Sequence, residues 1–447
     1  MLHQKTFNEA EVACILGNAA VDEKTGIISS CVEMMVESYD PKLFFFTTNM
    51  ADTSMYKGYN KCHPDNGGAG LTREQAKAAA IGESIERYCS SVYNKEDLVF
   101  ASYTELKPNA VPPSDWILFS DRQYAKKGFP FKPFTENTKI FWVEGQSLIT
   151  NKTVYVPANF VYLPFYVSDE QEAPIAPSVS TGLSAGITYE SAILGGIYEV
   201  VERDAITNMW LNNLSLSTID EYSNNTGVGK IIKERIMIDN AKYNIIEITN
   251  DIGIPVVFCV KLFQSSKGPA AACGAAARLN GQDAVLKAVL EASQGAKWIQ
   301  YLHMEDWAWG YNDDFSDINQ FKDHVRLYSL EENLEKLQFV YSDKTKKQID
   351  SLEDYSVGNK DQDIRKCLEF LEKKRFDVIV VDITSDDIKN IGFKVVKVLI
   401  PGTLPLNGDH NYPFLGGNRL YNLPSIMKYS TEKYSMDTVN KNPHPFP

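Results

Sequence analysis

The chain has 447 residues, 44% hydrophobic and 23% charged, with a net charge of −13. That is ample material for a large core, and the negative balance argues against a broad basic surface for nucleic acid. The seven cysteines (Cys14, Cys31, Cys62, Cys89, Cys259, Cys273 and Cys367) are odd in number, scattered and without a CxxC pair, which argues against a disulfide framework or zinc site and for a reducing cytoplasm.

The N-terminal MLHQKTFNEAEVACILG lacks the basic start and long apolar run of a signal peptide. Residues 1–69 mix strand-like runs such as KLFFFTTN with turns, and Cys62-His63 reads as loop. A helix is expected over about 73–93. KIFWVEGQSLI and TVYVPANFVYL, within 139–165, read as strands around a turn at Asn151-Lys152. A second long helix is expected over about 189–212. YNIIEITND, IPVVFCVKLF and PAAACGAAA read as strands, and a third helix spans about 281–303. IRKCLEFLEKKRF and FDVIVVDIT give helix then strand, and KVVKVLIP a further strand. The last 45 or so residues, rich in Gly, Pro and Asn, read as an ordered loop tail. No stretch approaches roughly 18 apolar residues, so no membrane span is expected. Strands and helices intermingle throughout, which makes the class mixed α/β (α+β).

Two of the helices repeat one pattern. GLTREQAKAAAIGESIER (Gly70–Arg87) returns 116 residues later as GITYESAILGGIYEVVER (Gly186–Arg203). Gly70, Thr72, Glu74 and Ala76 meet Gly186, Thr188, Glu190 and Ala192; Glu83, Glu86 and Arg87 meet Glu199, Glu202 and Arg203. A fainter third copy, NGQDAVLKAVLEASQ, follows 92 residues on, with Glu291 and Gln294 in the carboxylate places. The series is therefore ExxER, ExxER, ExxQG.

Thr72 and Thr188 suit helix N-caps, and Thr72-x-x-Gln75 is a capping box. Helical spacing groups Ala76, Ala79, Ala80, Glu83, Glu86 and Arg87 on one face, with Ile81, Ile85, Tyr88 and Val92 opposite. The second helix groups Ala192, Gly195, Gly196, Glu199, Glu202 and Arg203, with Ile193, Ile197, Val200 and Val201 facing away. Each interior glycine costs about 1 kcal/mol relative to Ala, so something must approach this face closely, and the helix should be covered on both sides. A lone ExxER is ordinarily a salt-bridged surface; three in matched small-residue settings point to a shared site. Five carboxylates need positive charge there. Arg87 and Arg203 supply some, and Mg²⁺ with a phosphate-bearing nucleotide would supply the rest.

At these residues the sequence resembles a known family. GGAGLTREQAKAAAIGESIERYCS and STGLSAGITYESAILGGIYEVVERDA resemble the two strongest signatures of the YcaO family, and GAAARLNGQDAVLKAVLEASQ its third. KVLIPGTLPL and LGGNRL resemble later segments, and NPHPFP the PxPxP tail of azoline-forming members. The resemblance runs over about 67–447, with 1–66 as the front of the same domain. It implies one YcaO domain over 1–447, whose mixed sheets and helices converge on an ATP site. It implies that Glu83, Glu86, Arg87, Glu199, Glu202, Arg203, Glu291 and Gln294 bind ATP, with Mg²⁺ held by Glu83, Glu86, Glu199, Glu202 and Glu291. The chain departs from the family pattern at Ala80, where Ser is usual, and at Ile187 and Ser191, where many members carry Asn and Glu.

Azoline-forming members are ATP-dependent enzymes of thiazole/oxazole-modified microcin and bacteriocin biosynthesis. They convert Cys, Ser or Thr of a ribosomally made precursor peptide to thiazoline or (methyl)oxazoline by phosphorylating the backbone amide oxygen. In the family the tail reaches the active site, which makes the Pro447 carboxylate, presented by Pro443 and Pro445, a candidate base. Composition alone reads the same tail as a rigid extended end packed on the surface. The chain lacks a long N-terminal extension like the E1-like partner fused in some cyclodehydratases. The resemblance therefore implies a separate D-type protein with a leader-binding E1-like partner, an FMN-dependent azoline dehydrogenase downstream, and a homodimer. GGAG and GLSAG do not fit G-x-G-x-x-G. A YcaO enzyme making a thioamide or amidine, and a non-catalytic scaffold, are the competing readings.

Overall fold

DNGGAG, LSAG and GPAAACGAAA share a property that shapes the molecule: as strands they present almost no side chain, so a helix can lie directly on them. The computed structural model describes residues 8–56, 58–166, 172–220, 227–343, 345–429 and 433–447. Its first sheet joins β1 (Ile28–Glu33), β2 (Phe44–Met50) and β3 (Asp65–Gly70), all antiparallel. A second contains β4 (Val99–Ala101), β5 (Ile140–Ser147), β6 (Thr153–Pro157) and β7 (Leu183–Gly186), completed by two late strands. A third runs in the order β11-β10-β9-β8-β12, from β8 (Thr218–Asp220), β9 (Lys242–Glu247), β10 (Val256–Ser265), β11 (Gly268–Ala277) and β12 (Lys346–Gln348). The late strands are β13 (Ile379–Asp382) and β14 (Lys394–Leu399), which set the second sheet's order as β4-β5-β13-β14-β7, with β6 on β5.

The helices used below are α1 (Glu9–Gly17), α2 (Arg73–Ser91), α3 (Tyr189–Leu211), α4 (Gly281–Glu305), α5 (Lys360–Lys373) and α6 (Arg419–Ile426). Helices α2, α3 and α4 directly follow β3, β7 and β11 and start where the caps predict. Gln75 N–H donates to Thr72 Oγ1 (3.2 Å), Ser191 N–H to Thr188 Oγ1 (3.2 Å), and Gln282 N–H to Asn280 Oδ1 (2.9 Å). The Thr72–Gln75 box closes as expected, with Thr72 N–H donating to Gln75 Oε1.

Helix α3 is covered on both sides, as its composition requires. One side packs on β14 through Val396 and Val398, the other on β10 and β11 through Phe258, Val260 and Ala271. Gly196 lets it sit that close: a Cβ there would stand 2.5 Å from Val398 Cγ2. Helix α2 buries Ile81 and Ile85 against Trp142, Val395 and Leu399. Helix α4 buries Ala288 and Val289 against Ile245, Val257 and Cys259. Each such fully buried aliphatic side chain contributes about 1.5–3 kcal/mol. Among the described residues no helix is long and apolar enough to cross a membrane.

Several local expectations need correction. The front of the chain contains helix α1 besides strands, started by an Asn8–Glu11 capping box. TVYVPANFVYL leaves the strand at Pro157 and turns through a 3₁₀ segment, Ala158–Phe160, because a Pro ring has no N–H to extend the ladder. The loop tail contains α6, with Pro424 inside it. Asn151 does turn the β5–β6 hairpin, with φ 55°.

Candidate functional site

Each of the three motif helices grips the strand before it with its first carboxylate. Gly67 N–H donates to Glu83 Oε2 (3.2 Å), Gly182 N–H to Glu199 Oε2 (3.2 Å), and Ala275 N–H to Glu291 Oε2 (3.4 Å). Small residues make the grip possible. A Cβ on Gly274 would lie 2.3 Å from Ala292 N and 2.5 Å from Ala288 O, so strand β11 and helix α4 touch backbone to backbone. The repeat read along the sequence is thus a repeat of strand, capped helix and carboxylate-to-amide bond.

The second residue of each pair reaches onward. Glu86 Oε1, on α2, accepts a hydrogen bond from Ala185 N–H of β7 (2.8 Å). Gln294, on α4, returns to the first unit: its Nε2 lies 3.1 Å from where a Cβ on Gly67 of β3 would be. Glu202, on α3, faces the third unit, where the charges of Glu291 and Arg278 act on it. Helix α2 packs on β7, α3 on β11 and α4 on β3. The hand-over runs from first to second to third and back to the first, closing the acidic side chains into a ring.

The ring is short of positive charge. Arg87 Nη2 lies 3.4 Å from Glu83 Oε1, Arg203 Nη2 3.8 Å from Glu199 Oε1, Arg203 Nε 3.7 Å from Glu202 Oε1, and Lys287 Nζ 3.1 Å from Glu291 Oε1. These cations do not balance the site. Burial pushes Glu86 up to about 8; Arg87 and the Ala185 N–H oppose the rise, and Glu199 and Glu83 add to it. Burial, then the neighbouring Glu291 charge, pushes Glu202 up to about 8, against the pull of Arg203. Glu199 is raised too, by burial. Carboxylates held above neutrality are ready to exchange protons for a cation. Among the described residues no three Asp, Glu, His or Cys side chains are grouped closely enough to hold a metal ion alone. This donor set fits a magnesium ion that takes one or two carboxylates and completes its shell with phosphate oxygens and water.

The tail ends at this ring rather than on the surface. Tyr328 O–H donates to Pro443 O (2.6 Å) and Trp210 Nε1–H to Asn442 O (3.0 Å). His444 stacks on His324 at 3.9 Å, Pro445 is buried, and Phe446 is 2% exposed. The Arg203 guanidinium lies over the Phe446 ring at 4.3 Å and donates to Pro447 O (3.4 Å). One arginine therefore joins the second ExxER to the last residues.

Of the expected small face, Ala76, Ala80, Ala192 and Gly196 are buried, whereas Ala79 is exposed. Ser191 sits in the first turn of α3, eight residues and about 12 Å along the helix from Glu199. Its hydroxyl bonds Glu9 Oε1 and accepts from Lys360 Nζ, which also ion-pairs with Glu9. Ile187 packs at the edge of the α2 core. Three charged neighbours of the ring escaped the sequence reading. Arg278, at the end of β11, lies with Cζ 5.0 Å from the Tyr198 ring centre. Lys397, on β14, is fully buried. Asp204, beside Arg203, is fully buried and forked by Arg419 (Nε to Oδ1 2.8 Å, Nη2 to Oδ2 2.6 Å), which gives LGGNRL a structural task. The "RD" after ExxE was the only sequence hint of that pair; Lys397 and Arg278 carry no local signature.

The family model for YcaO cyclodehydratases, ATP- and Mg²⁺-binding, matches residues 67–404. An uncharacterised protein of Methanothermobacter thermautotrophicus is 26% identical over 337 residues, covering 75% of this chain and 80% of that one. A heterocyclase solved in complex with substrate and cofactor superposes with TM-score 0.81 at 22% identity over 98% of this chain, which spans only 58% of that protein's length. YcaO from Methanopyrus kandleri, bound with AMPPCP and Mg²⁺, superposes with TM-score 0.64 at 20% identity, covering 92% of this chain and 94% of that one. The two structures establish a shared mixed α/β fold.

Proposed function

Because the chain belongs to the YcaO family of ATP- and Mg²⁺-binding cyclodehydratases, we propose that it cyclodehydrates Cys, Ser or Thr residues of a ribosomally made precursor peptide. The side-chain thiol or hydroxyl adds to the preceding amide carbonyl, the carbonyl oxygen takes the γ-phosphoryl group of ATP, and phosphate departs as the azoline forms. The enzyme's task in such a transfer is to position the reactants and stabilise charge. The single observation that carries this reading is the closed ring of Glu83, Glu86, Glu199, Glu202, Glu291 and Gln294.

In this reading the five glutamates are the metal-facing ligands, each magnesium ion taking one or two of them and completing its shell with phosphate oxygens and water, and Arg87 and Arg203 face the phosphates. Bound Mg²⁺ would supply charge neutralisation on the triphosphate. The tail contributes the proton acceptor through the Pro447 oxygens, with Pro443 and Pro445 holding it in line and Arg203 orienting it. A leader-binding, E1-like partner delivers the peptide. An FMN-dependent dehydrogenase acting afterwards, homodimerisation and a cytoplasmic setting belong to the same reading.

The test is purified protein with ATP, Mg²⁺, precursor peptide and partner, followed by phosphate release and peptide mass. Loss of one water per modified residue is expected. Oxygen-for-sulfur exchange would move the assignment to thioamide formation, and no ATP turnover at all would leave a scaffold. Glu83→Gln and Glu199→Gln are expected to abolish turnover while folding is kept. Wild-type rates in both would reject the ring as the nucleotide site.

A further inference from the structure

Strand β14 alternates, and the alternation exposes an anomaly. Val395 and Leu399 face the core under α2, beside Ile81 and Ile85, and Lys397 lies between them on the same side of the strand. It is 0% exposed. A lysine in a core row is costly unless its charge is used. Among the described residues no carboxylate stands within ion-pair distance of it; its recorded hydrogen bond runs from Nζ to Val179 O at 2.7 Å. Burial pushes its ammonium down to about 7; Glu199 opposes that fall and Arg87 adds to it.

The Val179 carbonyl immediately precedes the turn Ser180–Leu183 that leads into β7, in which Leu183 N–H donates to Ser180 O (2.9 Å). Gly182 closes that turn with φ +86°, and a Cβ there would stand 2.0 Å from Val398 O. The Gly182 N–H then donates to Glu199, and Val398 N–H donates to Gly182 O (2.8 Å). Lys397, the Val179–Gly182 segment and Glu199 thus form one short path from the core to the first carboxylate of the second unit.

We propose that Lys397 is a positioning residue for the acidic ring: its buried ammonium pins the Val179 carbonyl, and so fixes the turn whose amide holds Glu199. It touches no reacting atom; it acts through the turn and through its field on Glu199. The functional half of the proposal rests on the nucleotide-site reading, and the positional half does not.

The test separates the two. Lys397→Met replaces the ammonium by an apolar chain of similar volume, a change that leaves a merely structural buried charge neutral or improved. In the ligand-free protein, amide exchange over Gly182–Gly186 is expected to quicken by about tenfold, the effect of losing one charge-assisted hydrogen bond. ATP turnover with peptide and partner is expected to fall by a similar factor. Lys397→Gln keeps a donor for Val179 and is expected to restore slow exchange and most of the turnover; it also serves if the methionine variant does not fold. Unchanged exchange, or quickened exchange with unchanged turnover, overturns the proposal. A wild-type protein inactive on ATP would reject the proposed reaction instead, and amide exchange alone would then decide the role of Lys397.

Discussion

Glu86 offers the most direct check on the electrostatics of the ring. Its carboxyl is held near pH 8 chiefly by burial, whereas an unfolded glutamate titrates near 4.3. The folded protein therefore keeps a proton that the unfolded chain has lost. The sign follows: the stabilisation from that proton is complete at acid pH and drains away as pH rises from the unfolded value to about 8. It falls by about 1.4 kcal/mol per pH unit over that span and levels off above it. Between about pH 6.5 and about pH 8.5 the loss sums to about 2 kcal/mol.

Glu86→Gln removes the titration and keeps an oxygen for the Ala185 amide. Other groups titrate in the same range, among them buried histidines and Lys397, so the useful quantity is the difference between the two proteins, from which shared groups cancel. Urea unfolding of both, without nucleotide or magnesium, should show the variant gaining about 2 kcal/mol on the wild type across that interval. Curves that stay parallel would refute the reasoning, because they would mean that Glu86 ionises in the folded ring as freely as in water. Adding Mg²⁺ and ATP should close the gap, since bound cations favour the carboxylate.

Three further outcomes are expected. Arg419→Met strands the Asp204 carboxylate, which is fully buried, and should cost about 3–5 kcal/mol in unfolding experiments. Gly274→Ala drives a methyl to 2.3 Å from a backbone nitrogen of α4; about 1–3 kcal/mol of strain is expected, together with weaker nucleotide binding as Glu291 shifts. Tyr328→Phe frees the Pro443 carbonyl at a cost of about 1 kcal/mol. It should slow heterocycle formation far more than it weakens ATP binding, measured by titration calorimetry; a collapse in affinity would make the tail purely structural.

The strands, the three long helices and their caps were legible because the signals are local. Thr72 and Thr188 sit where hydrogen-bonding caps must sit, and Ala and Gly at helical spacing announced close packing before the packed strands were known. The acidic side chains were legible because the pattern repeats. What escaped notice depends on distant chain. Lys397 sits in KVVKVLIP, a run that reads as an ordinary strand, and its meaning comes from Val179, more than two hundred residues earlier. Arg419 belongs to a Gly- and Asn-rich tail, and only the fold brings it to Asp204. Helix α1 was hidden by its short length, and α6 by Pro424. Composition alone placed NPHPFP on the surface, because proline-rich ends most often pack there, and only the resemblance pointed inward; here Trp210, Tyr328 and His324 provide a slot for it.

The cyclic hand-over also explains why the third copy reads ExxQG. A Cβ at Gly295 would lie in ordinary contact with Ala272 Cβ (3.4 Å) and Cys273 O (3.5 Å), so this position faces strand β11. Without an arginine beside it, a sixth carboxylate at position 294 would lie against β3 and add its charge to a ring that already holds two glutamates near pH 8. An uncharged amide closes the circle at that corner without adding to the repulsion. Asymmetry in sequence is thus what a nearly symmetric ring needs if it is to fold before any metal arrives. Deep in that ring Arg203 is shared between Glu199, Glu202 and the tail, so the least symmetric part of the chain is anchored at the second unit.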